Sequence, residues 1–258
     1  MQEASEIRIW DRESVQRNPS TAREEILSTN GAFLLLDKPY GVSSFYVVNR
    51  IRRAISESVG IRKVKCGHAG TLDPLATGLL IIATRYKTRE IGTLVGMDKV
   101  YRIRMRFGVT SASFDLEQPV EITGGEENLT QASVCAAIES LRGTHQQIPP
   151  AFSAIKQKGR PVYLRARTGK DVVLAAREIV VHDVDVLFVD LPYASFRVRV
   201  SKGTYVRSLV RDIAESFGTG GILIDLVREA IGPFKLENAL TLDEAVDLAS
   251  INDPLPPP

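Results

Sequence analysis

The stretch Cys66-Gly67-His68-Ala69-Gly70-Thr71-Leu72-Asp73-Pro74-Leu75-Ala76-Thr77-Gly78-Leu79-Leu80 sets one carboxylate in a glycine-punctuated loop directly ahead of an apolar run. Gly67 and Gly70 permit a tight, partly left-handed path past a ligand, and Pro74 fixes the backbone after Asp73. Leu79-Leu80-Ile81-Ile82 reads as a buried strand. Asp73 is then an aspartate on an ordered loop braced by a core element, a setting that suits a nucleophile. For an isolated Asp-Pro pair the ordinary alternative is an Asx-turn aspartate.

Upstream of this loop, Phe33-Leu34-Leu35-Leu36 predicts a first buried strand. Ser44 is suited to cap a helix with the apolar stripe Val47, Val48, Ile51, Ile55 and Val59, ending near Gly60 and leaving Arg50, Arg52 and Arg53 off the stripe. Residues 1–30 are polar and show no sustained period, which predicts a mobile extension or a loosely docked arm.

Downstream, Tyr101-Arg102-Ile103-Arg104-Met105-Arg106-Phe107 alternates strictly, so one strand face is apolar and the other carries three arginines. Phe196-Arg197-Val198-Arg199-Val200 repeats the alternation. Thr130 can cap a helix with Val134, Ala137, Ile138 and Leu141 inward, Thr204 one with Val206, Leu209, Val210, Ile213 and Phe217 inward, and a short helix starts near Leu242. Separated strands and helices of this kind predict an α+β sheet rather than regular βαβ repetition. Residues 144–177 lose the pattern, gather Pro149, Pro150 and Pro161, and accumulate Lys156, Lys158, Arg160, Arg165, Arg167 and Lys170. A long irregular segment inside a compact domain is often functional.

With 258 residues, 44% of them hydrophobic and 25% charged, the chain fits one large soluble domain or two small ones. It has no apolar run near the ~20 residues that span a bilayer and no signal-peptide pattern in Met1-Gln2-Glu3-Ala4-Ser5-Glu6, which predicts a cytoplasmic protein. Cys66 and Cys135 form no Cys-x-x-Cys pair, and His68, His145 and His182 are widely separated, so neither a disulfide nor a metal is expected. The formal charge of +2 announces no nucleic-acid partner, but its distribution is uneven. Acids gather in the first 25 residues and in 115–139, whereas 50–106 and 160–211 are rich in Arg and Lys and could build a face for phosphates.

The loop around Asp73 closely resembles the active-site motif of the TruB family of pseudouridine synthases. Five further blocks follow in family order: Leu36-Asp37-Lys38-Pro39-Tyr40-Gly41-Val42-Ser43-Ser44, Lys99-Val100-Tyr101-Arg102, Ile148 through Lys156, Tyr163 through Gly169, and Val200 through Leu209. The resemblance implies a pseudouridine synthase fold, with a large mixed, mostly antiparallel sheet, flanking helices and a central active-site cleft. It implies a catalytic domain over 31–250 behind an N-terminal extension of 1–30, a thumb-like insertion at about 144–177, and a Pro-rich tail at 251–258 that leaves no room for a C-terminal PUA domain. It also implies isomerisation of uridine 55 in the T-loop of tRNA, with no cofactor, no guide RNA and a monomeric enzyme.

By the same resemblance Asp73 is the catalytic residue, Tyr101 lies against the uracil face, Arg207 pairs with the catalytic carboxylate, and His68 inserts into the T-loop where the flipped base was. Tyr205 and Leu226 resemble residues lining the uridine pocket. Lys156, Lys158, Arg165 and Arg167 are candidate RNA contacts; Lys38 and Lys202 are candidates for phosphate or structural contacts, and the sequence does not separate the two. After Leu226 the family usually has two basic residues, whereas this chain has Val227 and Arg228, which departs from that pattern. Two other readings compete. The RNA-guided branch of the same core works with a PUA domain, and an RNA-binding tRNA folding chaperone would not need Asp73, Tyr101 and Arg207 together.

Overall fold

The long strands Phe33–Lys38, Thr77–Thr84 and Lys99–Phe107 follow apolar runs or alternations of the sequence, whereas short ones such as Cys66–His68 and Gly143–Gln147 do not. The computed structural model describes residues 7–153, 155–157, 160–162, 165 and 174–250. They belong to two compact units, Met1–Met97 with Val227–Pro258, and Asp98–Leu226. The strand ladders are mostly antiparallel, with parallel pairing of β1 (Ile9–Trp10) with β2 (Phe33–Lys38) and of β4 (Thr77–Thr84) with β13 (Gly221–Ile231).

In the first unit β2, β3 (Cys66–His68) and the end of β13 from Val227 to Ile231 pair with β4, and β14 (Phe234–Lys235) pairs with that same end of β13. Phe33–Leu36 and Leu79–Ile82 are all buried, as apolar runs in a sheet covered on both faces must be. Residues 7–27 are part of this core rather than a mobile arm, and 1–6 lie outside the described residues. Trp10 pairs in register with Leu34 and is 2% exposed, and α1 (Arg12–Arg17) leads into α2 (Pro19–Leu27), whose Ala22 and Ile26 are fully buried. A two-residue strand and a helix with two inward side chains leave no periodic signal, which is why composition alone suggests a loose arm.

Helix α3 (Ser44–Val59) carries the expected stripe, with Val47, Val48, Ile51 and Ile55 buried, and stops at Gly60 in the left-handed region. Its cap is Ser43, which accepts from the Tyr46 amide at 3.1 Å, not Ser44. Ser44 is buried and serves another segment, described below. Helix α4 (Ile91–Gly96) follows β4, and the unit closes with α7 (Leu242–Ala249), capped by Thr241 with Glu244 in a reciprocal capping box.

In the second unit the order is β5 (Lys99–Phe107), β12 (Tyr193–Val200), β11 (Arg177–Asp190), β8 (Gly143–Gln147). Tyr101, Ile103, Met105 and Phe107 of β5 are buried while Arg102 and Arg104 are exposed, as the alternation predicts. A short hairpin, β6 (Val109–Ser111) with β7 (Val120–Ile122), precedes α5 (Gln131–Glu139), which Thr130 caps. Helix α6 (Val206–Glu215) buries Leu209, Val210 and Ile213 as expected, but Thr204 does not cap it; its hydroxyl donates to Ser201 O at 2.9 Å and closes the preceding turn. Within 144–177 the structure includes a short antiparallel pair of β9 (Lys156–Gln157) with β10 (Arg160–Pro161), whereas 154, 158–159, 163–164 and 166–173 lie outside the described residues, as does 251–258.

At the end of β2 the Lys38 ammonium is fully buried and donates to three backbone carbonyls, Pro39 at 2.9 Å, Val42 at 2.7 Å and Pro74 at 3.2 Å. Burial pushes its pKa down to about 8; the Asp73 carboxylate opposes that shift and Arg228 adds to it. An unfolded lysine keeps its proton to about 10.4, so between these values unfolding takes up a proton and the Lys38 contribution to stability rises with pH. Lys38→Met is expected to be destabilised at pH 7, because three carbonyls lose their donor, and to fall further behind the parent chain as pH rises from about 8 to about 10. Urea unfolding of both proteins across that range checks this; a gap independent of pH would refute the depressed pKa.

Candidate active site

Asp73 is half-buried on a loop whose backbone is held carbonyl by carbonyl. Gly70 O accepts from Arg228 Nη2 at 3.1 Å and Thr71 O from Arg228 Nη1 at 3.5 Å. Leu72 is clamped on both sides by Ser44 Oγ, which donates to its carbonyl at 2.9 Å and accepts from its amide at 2.8 Å. Asp73 O accepts from Ala76 N at 3.1 Å, closing a turn over Pro74, and Pro74 O accepts from Gly41 N at 2.9 Å as well as from Lys38. Five consecutive carbonyls therefore have named donors, and the loop carrying the carboxylate has little backbone freedom left. Leu72 and Ala76, both buried, anchor it on either side of Asp73.

Glycine is required here at two places. Gly70 has φ +100° where the backbone turns toward Arg228. Gly78, also at φ +100°, sits in register with Arg228, and a Cβ there would lie 2.5 Å from the Arg228 carbonyl. Gly67, expected to help the turn, is instead a strand residue paired with Ala83.

Arg228 is the residue that sequence reading undervalued. It is 1% exposed on β13 and also donates through Nε to Leu79 O at 2.7 Å, so one guanidinium spans the loop and the strand after it. A signal was present in the sequence, an arginine directly after the apolar pair Leu226-Val227 in a strand that also holds Ile222, Leu223, Ile224 and Ile231. Its charge and, more strongly, burial lower the His68 pKa, so the imidazole is neutral at neutral pH. The first unit thus brings together Asp73, His68, Lys38 and Arg228. The burial of Lys38 and its three carbonyl acceptors select the structural alternative for that residue over a phosphate contact.

The second unit carries the other expected site residues. Tyr101 is 8% exposed on β5, and Leu226 is buried. Tyr205 is half-buried ahead of α6; the side-chain amide of buried Gln147 brackets its backbone, accepting from Tyr205 N at 2.8 Å and donating to Tyr205 O at 3.1 Å, and the Arg177 guanidinium lies 4.9 Å from its ring. Arg207, on the first turn of α6, is 4% exposed rather than on a polar helix face. It donates to Ser113 O and Phe152 O, both at 2.9 Å, and its Nε lies 3.5 Å from the equally buried Asp115 carboxylate. Lys202 is exposed in the turn before α6. Arg165 is exposed and donates to Gln157 Oε1 at 3.2 Å, the Lys156 backbone is in β9, and Lys158 and Arg167 lie outside the described residues. Among the described residues no group of His, Cys, Asp and Glu is placed to hold a metal ion, and no helix is long and apolar enough to cross a membrane.

Residues 57–206 match the family described as TruB family pseudouridylate synthase (N terminal domain). The tRNA pseudouridine synthase B of Phocaeicola vulgatus is 42% identical over 83% of this chain and 91% of its own length. That of Chlorobium phaeovibrioides is 45% identical over 85% of this chain and 91% of its own. Among solved structures, a chain of a Cbf5-Nop10-Gar1 complex is similar at 27% identity with a TM-score of 0.65, covering 92% of this chain; this chain spans 58% of that one's length. In a second, the archaeal box H/ACA sRNP Nop10-Cbf5 complex, the likeness has a TM-score of 0.59 at 27% identity and spans 52% of the solved chain. The match over more than half the chain, and relatives above 40% identity along most of it, give the conclusion that this chain belongs to the TruB family of pseudouridylate synthases.

Proposed function

We propose that this chain isomerises uridine 55 in the T-loop of tRNA to pseudouridine, with Asp73 as the catalytic carboxylate and without a cofactor or guide RNA. The observation that carries the reading is the loop held at five successive carbonyls around a half-buried aspartate, which is how a fold fixes a reacting group rather than a surface turn. The name shared by the curated bacterial relatives, tRNA pseudouridine synthase B, supports the substrate class.

In the reaction the bond from ribose C1′ to uracil N1 breaks, the base turns, and C5 bonds to C1′; C5 loses a proton and N1 gains one, so nothing else is consumed. Attack on the sugar, addition to uracil C6 and removal of a sugar proton all require a fixed carboxylate, and the bonded loop supplies that fixed position. Because a stacked uridine is out of reach, the base is extruded into a pocket. Tyr101 takes the uracil face, since a π surface tolerates rotation of the ring, with Tyr205 and Leu226 around it. His68, neutral and aromatic, stacks in the space the base has left. Arg207 completes the site as the partner of the Asp73 carboxylate, and Lys156, Lys158, Arg165, Arg167 and Lys202 meet phosphates. The enzyme acts as a monomer on the T-arm.

Asp73→Asn is expected to lose at least a thousandfold in turnover while tRNA affinity changes by less than about threefold, since shape is kept and charge is lost. Tritium release from C5-labelled tRNA together with filter binding checks this, and substantial residual turnover would remove Asp73 from its role. Arg207→Met is expected to depress turnover and to cost about 3 kcal/mol of stability, because Asp115 is left as a buried, unpaired carboxylate. Adding Asp115→Asn should recover most of that stability and none of the turnover. Recovery of turnover in the double variant would mean that Arg207 acts only through Asp115.

A further inference from the structure

The start of α3 exposes aromatic side chains that the core does not use. Tyr40, in the turn before the helix, is 60% exposed, and Phe45 and Tyr46 on its first turn are 62% and 42% exposed. Neighbouring exposed aromatics of this size mark contact surfaces more often than chance. They are interleaved with cations. The Arg52 guanidinium lies 5.8 Å from the Phe45 ring, and Arg50 Nη1 donates to Tyr46 OH at 3.2 Å. Between Tyr40 and Lys65 the chain carries Arg50, Arg52, Arg53, Arg62, Lys63 and Lys65 against one carboxylate, Glu57, which pairs with Arg53.

We propose that this face is an RNA-contact surface separate from the thumb, on which unpaired bases stack against Phe45 and Tyr46 while Arg50 and its neighbours meet phosphates. The proposal rests on the reading of this chain as a tRNA-modifying enzyme. Two features select RNA over a protein partner. Aromatic faces alternating with guanidinium groups match a nucleotide strand, which offers a π face and a negative charge at each step. The face is also bonded to the catalytic loop, since Ser44, between the Ser43 cap and Phe45, clamps Leu72 at 2.8 and 2.9 Å, and Gly41 N holds Pro74 O at 2.9 Å. A strand held on the start of α3 is therefore held beside Asp73.

Two variants of the full chain test this, both at exposed or half-exposed positions: Phe45→Ser with Tyr46→Ser, and Arg50→Gln with Arg53→Gln. Tyr40 is kept because Pro39 and Gly41 serve the Lys38 and Pro74 contacts. A fluorescent T-arm stem-loop reports Kd by anisotropy across a KCl series, single-turnover isomerisation at saturating protein reports the chemistry, and thermal melting reports folding. The aromatic variant is expected to bind about tenfold more weakly with an unchanged salt slope. The arginine variant should lose about 0.7 to 0.9 of logarithmic slope for each phosphate released. Both should keep the saturated rate within about twofold and melt like the parent. Unchanged Kd and slope in both folded variants would overturn the proposal. So would a parent chain whose self-association is lost in the aromatic variant while RNA affinity stays the same, since the face would then meet a second copy. If the stem-loop binds in a manner that depends on this face but is not isomerised by the parent chain, the enzymatic reading fails and the surface stands.

Discussion

The structure of the site rests on one constraint, the satisfaction of every backbone carbonyl from Gly70 to Pro74 by a donor that cannot easily be replaced. Two of the donors are buried cations, Arg228 and Lys38, one is the buried hydroxyl of Ser44, and the others are backbone amides. Small sequence choices follow from it. Gly70 and Gly78 supply the left-handed backbone that brings the loop and β4 against Arg228, and Ser44 leaves capping to Ser43 so that it can face Leu72. What results is a carboxylate whose position is set by the backbone, so that little reorganisation is left for the reaction step.

Burying two like charges beside each other is costly, and the fold tolerates it because each is placed among carbonyl dipoles with Asp73 nearby. The low pKa of Lys38 measures what remains of that cost. In the second unit the same solution recurs in neutral form, with Arg207 spread over Asp115 and two carbonyls. Such sites exchange stability for a fixed electrostatic environment, which suits the chemistry proposed for Asp73.

Much of this was legible in the sequence, for reasons specific to each element. The alternation from Tyr101 to Phe107, the stripe of α3 and the run from Leu79 to Ile82 are statements about burial, and the sheet reproduces them because burial decides those elements. The segment from Ile7 to Leu27 was opaque because its docking depends on Trp10, Ala22 and Ile26, too few and too unevenly spaced to make a period. The cap of α3 is Ser43 rather than Ser44 because two neighbouring hydroxyls are equivalent in sequence and are distinguished only by tertiary partners, whereas α6 begins after Tyr205 with no side-chain cap while Thr204 closes the preceding turn. Arg228 was visible as a departure from an expected basic pair, but its role depends on a parallel pairing with β4 that local sequence does not encode.

The account stands most directly on whether the carbonyl cradle positions Asp73. Arg228→Met removes the guanidinium donors from Gly70, Thr71 and Leu79 while leaving the Asp73, His68 and α3 side chains themselves unaltered. Mapping pseudouridine at position 55 of tRNA over time, with Kd for the same tRNA measured on the same preparation, gives the decisive comparison. The account predicts a fall in kcat of at least a hundredfold with Kd changed by less than about threefold. A folded Arg228→Met protein that modifies uridine 55 at a near-normal rate would contradict it.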